Sequence, residues 1–285
     1  MHTCAARCGG RMEKMSGFPF GAVMFDLDDT LLRDDLTVSP YTVSTLRRLS
    51  DSGVRIIPAS GRAKLSMKPF VDLLQCADLY VSCNGAEIWD GGTHELLHAE
   101  LFSVDLGREI ARFGKSHHCY AQTYDGPCFY YNEESEWARR YAESSMLQGV
   151  FVGDLEEFIR EPHNKILMMD TEENIASMLE EAQDLFRGRV SVTCSKPWFL
   201  EFNPVKATKG EALLRAADLL ALCPSEFIAF GDSLNDLPML KTAGKGILME
   251  NGRTELRACC DGVCPSNQLD GVAAYLHTVF SEVLS

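Results

Sequence analysis

Two short acidic turns hold the residues best suited to chemistry. Asp26, Asp28 and Asp29 follow the apolar run AVMF at 22–25, and Asp232 and Asp236 follow FIAF at 227–230. If the two runs are neighbouring parallel strands, these carboxylates converge where open α/β sheets bind ligands, beyond the carboxyl ends of the strands. Negative charges gathered in one crevice are costly unless a cation neutralises them. An all-oxygen donor set favours a hard cation, Mg²⁺ before others. Either turn taken alone also fits a plainer account, in which acids simply cap the end of a strand.

The elements that must position these turns follow from patterning. Ser39 N-caps a helix with Pro40 in its first position, Val43, Leu46 and Leu49 on one face, and Gly53 at its end. VRIIPAS at 54–60 is a second strand, a helix spans 64–74, and DLYVSCNGAEI at 78–88 is a third strand. Strands alternating with amphipathic helices indicate βαβ units and a parallel sheet. The last third returns to this pattern. WFLEFNP at 198–204 is a strand, Thr208 N-caps a helix carrying Leu213, Leu214, Ala217 and Leu220, GILMEN at 246–251 is another strand, and 269–284 is a terminal helix.

The middle, from about Trp89 to Thr193, is richer in aromatics and charge. It reads as a strand near 96–102, a helix near 104–114, a Gly-Pro hairpin within 119–132, a helix near 134–143, a strand at 164–170, a helix from Thr171 to Gly188 and a strand at 189–195. The expected architecture is a three-layer α/β/α core with a mostly parallel sheet, formed by 18–87 and 194–285, plus an inserted α+β cap at 88–193. Residues 1–17 read as a disordered extension ahead of the fold.

Composition narrows the functional classes. The chain of 285 residues has 41 acids and 27 basic residues, a net charge of −14, with 46% apolar and 24% charged residues. That is a globular composition, and its charge opposes nucleic acid and anionic membranes. No apolar run approaches the roughly 20 residues of a membrane span. Eleven cysteines, odd in number and scattered singly, read as reduced thiols and hence a cytoplasmic protein. Cys259, Cys260 and Cys264, like Cys4 and Cys8, lack the paired spacing of a zinc site. His117-His118-Cys119 reads as a polar loop, and Trp137 and Tyr141 as cap core. There is no Gly-rich dinucleotide fingerprint and no Walker loop.

Four segments in chain order resemble the motifs of the haloacid dehalogenase superfamily of phosphotransferases. They are DLDDT at 26–30, PASGR at 58–62, TKGEAL at 208–213 and GDSLNDLPML at 231–240. CNGAEIWD at 83–90 is similar to a segment of the Cof-type branch that leads into a large cap, and SKPWFLEFNP to TKGEAL resembles the return to the core. The resemblance covers nearly the whole chain from about residue 20.

The resemblance implies roles. Asp26 is the nucleophile that forms an aspartyl-phosphate, and Asp28 is the general acid that protonates the leaving alkoxide and then activates water. An Asp at 28 favours phosphatases and mutases over the transport ATPases and dehalogenases of the superfamily. Ser60 and the Gly61 N–H bind the phosphoryl group, Asn235 touches it, and Arg62 pairs either with the phosphate or with an acid. Lys209 neutralises Asp26 and the phosphate. A lysine at a helix N-terminus works against the helix dipole, which itself suggests a function. Mg²⁺ is held by the Asp26 carboxylate, the Asp28 backbone carbonyl and the Asp232 carboxylate, with Asp236 either in the second layer or on a metal water.

The expected function is a Mg²⁺-dependent phosphatase for phosphate monoesters of small metabolites. Sugar phosphates are the leading class, with pyridoxal phosphate and flavin mononucleotide as further candidates. Tyr124, Asp125, Lys165, Ser195 and Trp198 of the cap are candidates to reach the leaving group. The rivals are a phosphomutase related to phosphomannomutases and a non-catalytic phosphometabolite-binding protein. The expected partner is a small phosphorylated metabolite, with no nucleic acid or membrane, and the expected state is a monomer or homodimer.

Overall fold

The structure, a computed structural model, describes residues 18–126, 128–145 and 147–284. The extension expected at 1–17, with Cys4 and Cys8, lies outside the described residues, as does the proline of the Gly-Pro hairpin.

Two sheets organise the chain. The first contains β1 (Ala22–Asp26), β2 (Arg55–Ala59), β3 (Leu79–Ser82), β4 (Glu87–Asp90), β5 (Leu96–Ala99), β12 (Phe227–Gly231), β13 (Lys245–Met249) and β14 (Gly262–Cys264), in the order β14-β13-β12-β1-β2-β3-β4-β5. The second contains β6 (Tyr120–Asp125), β7 (Cys128–Tyr131), β8 (Gln148–Phe151), β9 (Ile166–Met169), β10 (Val190–Thr193) and β11 (Phe199–Pro204), in the order β10-β11-β9-β6-β7-β8. The helices are α1 (Pro40–Asp51), α2 (Lys64–Leu74), α3 (Val104–Ser116), α4 (Glu136–Ser145), α5 (Leu155–Phe158), α6 (Glu172–Leu185), α7 (Lys209–Leu220), α8 (Leu237–Thr242), α9 (Gly271–Val279) and α10 (Ser281–Leu284).

β1 sits at the centre, and its alternation explains the three layers. Successive side chains of a strand point to opposite faces. Val23 and Phe25 pack with Leu46 and Leu49 of α1, Met67 and Val71 of α2, and Val272 and Leu276 of α9. Ala22 and Met24 pack with Ala212, Leu213 and Ala216 of α7 and Met239 and Leu240 of α8. A parallel strand covered on both faces reads as a continuous apolar run, and every residue of β1 is buried. β1 pairs in parallel with β2 on one side and β12 on the other, with Phe25 opposite Pro58 and Phe230. The chain order therefore reverses at β1, the switch point at which such sheets bind ligands.

Several expectations need correction, among them the terminal helix of 269–284, which is two helices, α9 and α10, parted at Phe280. The strand expected over 78–88 breaks in two. Cys83, Asn84 and Gly85 all take positive φ, at 50°, 58° and 109°, and reverse the chain so that β4 runs antiparallel to β3. Glycine is required at 85, because a Cβ there would stand 2.3 Å from the Thr208 carbonyl oxygen. The domain limits also move. β4 and β5 continue the first sheet, so the core extends past 87 to Ala99, while β11, expected in the core after 194, pairs antiparallel with β9 and β10 and belongs to the cap sheet. β8 was not expected at all; its sequence QGVF has Gly149 tight against Phe129 and Tyr131 and carries no alternation. No helix among the described residues is long and apolar enough to cross a membrane.

Candidate active site

The site forms beyond the carboxyl ends of β1 and β12. After Asp26 the chain makes one wide turn, closed by Leu32 N–H donating to the Leu27 carbonyl at 2.8 Å. Leu27 is buried beneath it, Asp28 is extended and Asp29 takes φ 57°. An aspartate tolerates that left-handed conformation better than most residues. Asn251 Nδ2 pins the turn by donating to the Asp29 carbonyl at 2.7 Å.

Lys209 is the first residue of α7 and is wholly buried. Thr208 caps the helix and accepts from Glu211 N–H, and Gly85 lets the neighbouring turn approach the Thr208 backbone. The Lys209 ammonium donates to Asp26 Oδ1 at 2.5 Å and to Asp236 Oδ1 at 2.6 Å. Burial alone would push this ammonium down, but Asp236 and Asp26 outweigh it and hold it above its ordinary value. The other Asp236 oxygen accepts from the backbone N–H groups of Asp232 and Ser233, both at 3.0 Å. Both Asp236 oxygens are thus occupied in positioning Lys209 and the turn after β12. Gly231 makes room, since a Cβ there would meet the Asp236 side chain at 2.4 Å.

Asp26, Asp232 and Asp236 offer oxygen atoms within 4.8 Å of one another, a grouping unique among the described residues. Burial pushes Asp26 well above the usual carboxylate range, with Asp236 and Asp232 adding to the effect and Lys209 opposing it. Burial, then Asp236 and Asp29, push Asp232 up to about 7, against Lys209 and the Thr30 hydroxyl, which donates to Asp232 Oδ1 at 3.2 Å. One ammonium does not neutralise three acids. The excess negative charge and the all-oxygen donors fit a hard divalent cation.

On the β2 side, Ser60 is buried and its hydroxyl accepts from Arg62 N–H at 3.1 Å. Arg62 grips Asp28 with two bonds, Nε to Oδ2 at 2.8 Å and Nη2 to Oδ1 at 2.6 Å. Asn235 Nδ2 donates to Asn84 Oδ1 at 3.0 Å, and the Asn84 amide also lies against Gly61. Asn84 therefore joins the loops after β2, β3 and β12. Sequence reading missed it, although it sits inside the CNGAEIWD segment. The signal is a left-handed asparagine followed by a required glycine.

The cap holds a buried polar network. Tyr120 donates to Gln122, Gln122 to Tyr124, and Tyr124 to Tyr141, at 2.8, 2.8 and 2.7 Å. Lys165 and Ser195 both donate to Glu201 Oε1, at 2.9 and 2.8 Å. Ala63 and Leu65, just after Arg62, pack against the aromatic cluster of Tyr124, Phe129 and Tyr141. Asp125 stands at the end of β6 beside Tyr124, whereas Trp198 is exposed with its ring against Phe199. Trp137 and Tyr141 are partly buried and pack against the cap core. Elsewhere among the described residues, Cys264 is buried against Met249 and His117 pairs with Glu181.

A family model described as haloacid dehalogenase-like hydrolase matches residues 23–276. The chain belongs to that family, and it is a phosphatase. It is 28% identical over 266 residues to a 5-amino-6-(5-phospho-D-ribitylamino)uracil phosphatase of Bacillus subtilis, covering 91% of this chain and 97% of that one. It is 22% identical over 265 residues to the pyridoxal phosphate phosphatase of Escherichia coli, covering 90% and 97%. A haloacid dehalogenase-like hydrolase from Bacteroides thetaiotaomicron superposes with a TM-score of 0.84 at 25% identity, over 92% of this chain and 100% of that chain.

Proposed function

We propose that the protein is a Mg²⁺-dependent phosphatase that hydrolyses monoesters of small phosphorylated metabolites through a phosphoryl group carried on Asp26. The observation that supports this most is the buried Lys209 ammonium between Asp26 and Asp236, with Asp232 alongside. Buried, strongly perturbed charge at a sheet switch point is a mark of catalysis.

Lys209 engages one Asp26 oxygen, leaving the other to bond phosphorus as the ester P–O bond breaks. Asp28 gives a proton to the departing alkoxide. It then takes a proton from the water that attacks phosphorus, which releases phosphate and restores Asp26. Arg62 holds both Asp28 oxygens in the free enzyme. An arriving phosphate competes for that guanidinium, so Arg62 moves from acid to phosphate, and the released Asp28 carboxylate takes up a proton from solvent that it then donates. Ser60, the Gly61 N–H and Asn235 hold the remaining phosphate oxygens. The Asp26 and Asp232 carboxylates and the Asp28 carbonyl would hold Mg²⁺, with Asp236 positioning them from behind. Bound there, the cation supplies charge stabilisation for the transferring phosphoryl group.

The two named relatives act on phosphate esters of small ring-bearing metabolites, which supports the same size class here. Sugar phosphates head the candidate substrates, with pyridoxal phosphate and flavin mononucleotide beside them. The test is phosphate release from a panel of such monoesters with and without Mg²⁺. Turnover is expected only with the cation and is expected to vanish in Asp26→Asn; an Asp26→Asn protein as active as the wild type overturns the reading.

A further inference from the structure

A cavity of about 520 Å³ lies between the first sheet and the cap. Ala63 and Cys83 line its inner end. They are the chain neighbours of Arg62, which grips Asp28, and of Asn84, which holds Asn235, so the cavity adjoins the loops of the proposed phosphate site. Its size falls within the roughly 300–1,000 Å³ of small-molecule sites. Trp89 and Tyr124 give it aromatic walls.

The polar lining is lopsided. Glu87, Asp125 and Glu161 contribute three carboxylates, of which Glu87 is engaged, its Oε1 accepting from Asn164 and its Oε2 from Ser82 and Trp89. The one ammonium, from Lys64, is already engaged, lying 3.8 Å above the Trp89 ring and donating to the His94 carbonyl at 3.0 Å. His163 has its Nδ1 at 3.1 Å from the Tyr124 carbonyl. Asn164 is only 7% exposed, its Nδ2 donates to Glu87, and its Oδ1 has no hydrogen-bond partner. A buried acceptor left without a donor is costly. A ligand bearing N–H or O–H groups relieves that cost, and an amine also meets the carboxylates. A second phosphate or a carboxylate meets like charge.

We propose that this cavity receives the organic part of the substrate and selects neutral or amine-bearing groups against a second anionic group, with Asp125, Glu161 and Asn164 as the selecting residues. The inference rests on the phosphatase reading above and deepens it. It also sets the protein apart from a mutase, which must accept a sugar bisphosphate.

The test is calorimetric binding of glucosamine 6-phosphate, glucose 6-phosphate and glucose 1,6-bisphosphate to the Asp26→Asn protein in Mg²⁺, with inhibition constants against p-nitrophenyl phosphate on the wild type as a second readout. Affinity is expected to fall in that order, with the bisphosphate weaker than glucose 6-phosphate by roughly tenfold or more. Asp125 and Glu161 are exposed, so the Asp125→Asn/Glu161→Gln protein should fold, and its gap should shrink to about threefold or less. Equal binding of mono- and bisphosphate, an unchanged gap in the double variant, or no binding of any of the three overturns the inference. Phosphate release by the wild type is scored separately. Its absence defeats the phosphatase reading while the binding order still decides this one.

Discussion

Replacing Lys209 with methionine removes the cation at the centre of the site while nearly keeping its volume. The wild-type ammonium is fully buried between Asp26 and Asp236, at 2.5 and 2.6 Å. Breaking a buried ion pair by deleting one partner costs about 3–5 kcal/mol, because the other charge is left uncompensated. Asp236 keeps its two backbone donors, so most of the cost falls on Asp26. At about 2–4 °C per kcal/mol for a domain of this size, the midpoint should drop by roughly 6–20 °C. The pH dependence has a definite sign. Asp26 is already raised above its ordinary value of 3.8 by burial, and losing Lys209 raises it further. A raised acid binds its proton more tightly when folded, so the penalty is absent below the unfolded pKa and grows as pH climbs toward the folded one. Lys209 itself, raised above 10.5, contributes stability that is lost only on the alkaline side. The gap between the two proteins should therefore be wide at pH 8 and narrow at pH 5, read as thermal melts by circular dichroism. Equal midpoints at pH 8, or a gap that widens as pH falls, would refute the reasoning.

Protons should compete with the cation, since Asp232 is pushed up to about 7. The apparent Mg²⁺ affinity, titrated by calorimetry, should weaken by about tenfold from pH 8 to pH 6; a flat profile would remove Asp232 from the metal site. Gly85→Ala places a Cβ 2.3 Å from the Thr208 oxygen at φ 109°, so it should shift the start of α7 and depress both midpoint and kcat. An unperturbed protein would contradict the close approach. Asn84→Ala removes the acceptor for Asn235. A neutral hydrogen bond is worth about 1 kcal/mol, so KM should rise about fivefold with kcat little changed, and a pure kcat effect would assign Asn84 another role.

Much of the core was legible because its signals are local. The apolar run of β1 ending in acids, the Ser39-Pro40 start of α1 and the Thr208 cap of α7 all appear in the structure at the expected positions. The meeting of Asp26, Lys209 and Asp232 depends on β1 pairing with β12 across about two hundred residues, and the order of the motifs was the only guide to it. Other features were hidden for physical reasons. The reversal at Cys83–Gly85 carries a turn signal, the Asn84-Gly85 pair, but the strand-forming residues on both sides of it read as one run. β11 has the burial of a core strand but pairs in the cap, because a buried apolar strand does not announce its sheet. Arg62 gripping Asp28, and Asn84 bridging to Asn235, are side-chain choices that spacing does not specify.

The most direct measurement is to quench the enzyme with acid during turnover of p-nitrophenyl phosphate in Mg²⁺ and map the phosphoryl group by mass spectrometry. The account predicts label on the Asp26 carboxylate, dependent on Mg²⁺ and absent from Asp26→Asn. Sustained phosphate release with no label on Asp26, or with label on another side chain, would contradict it.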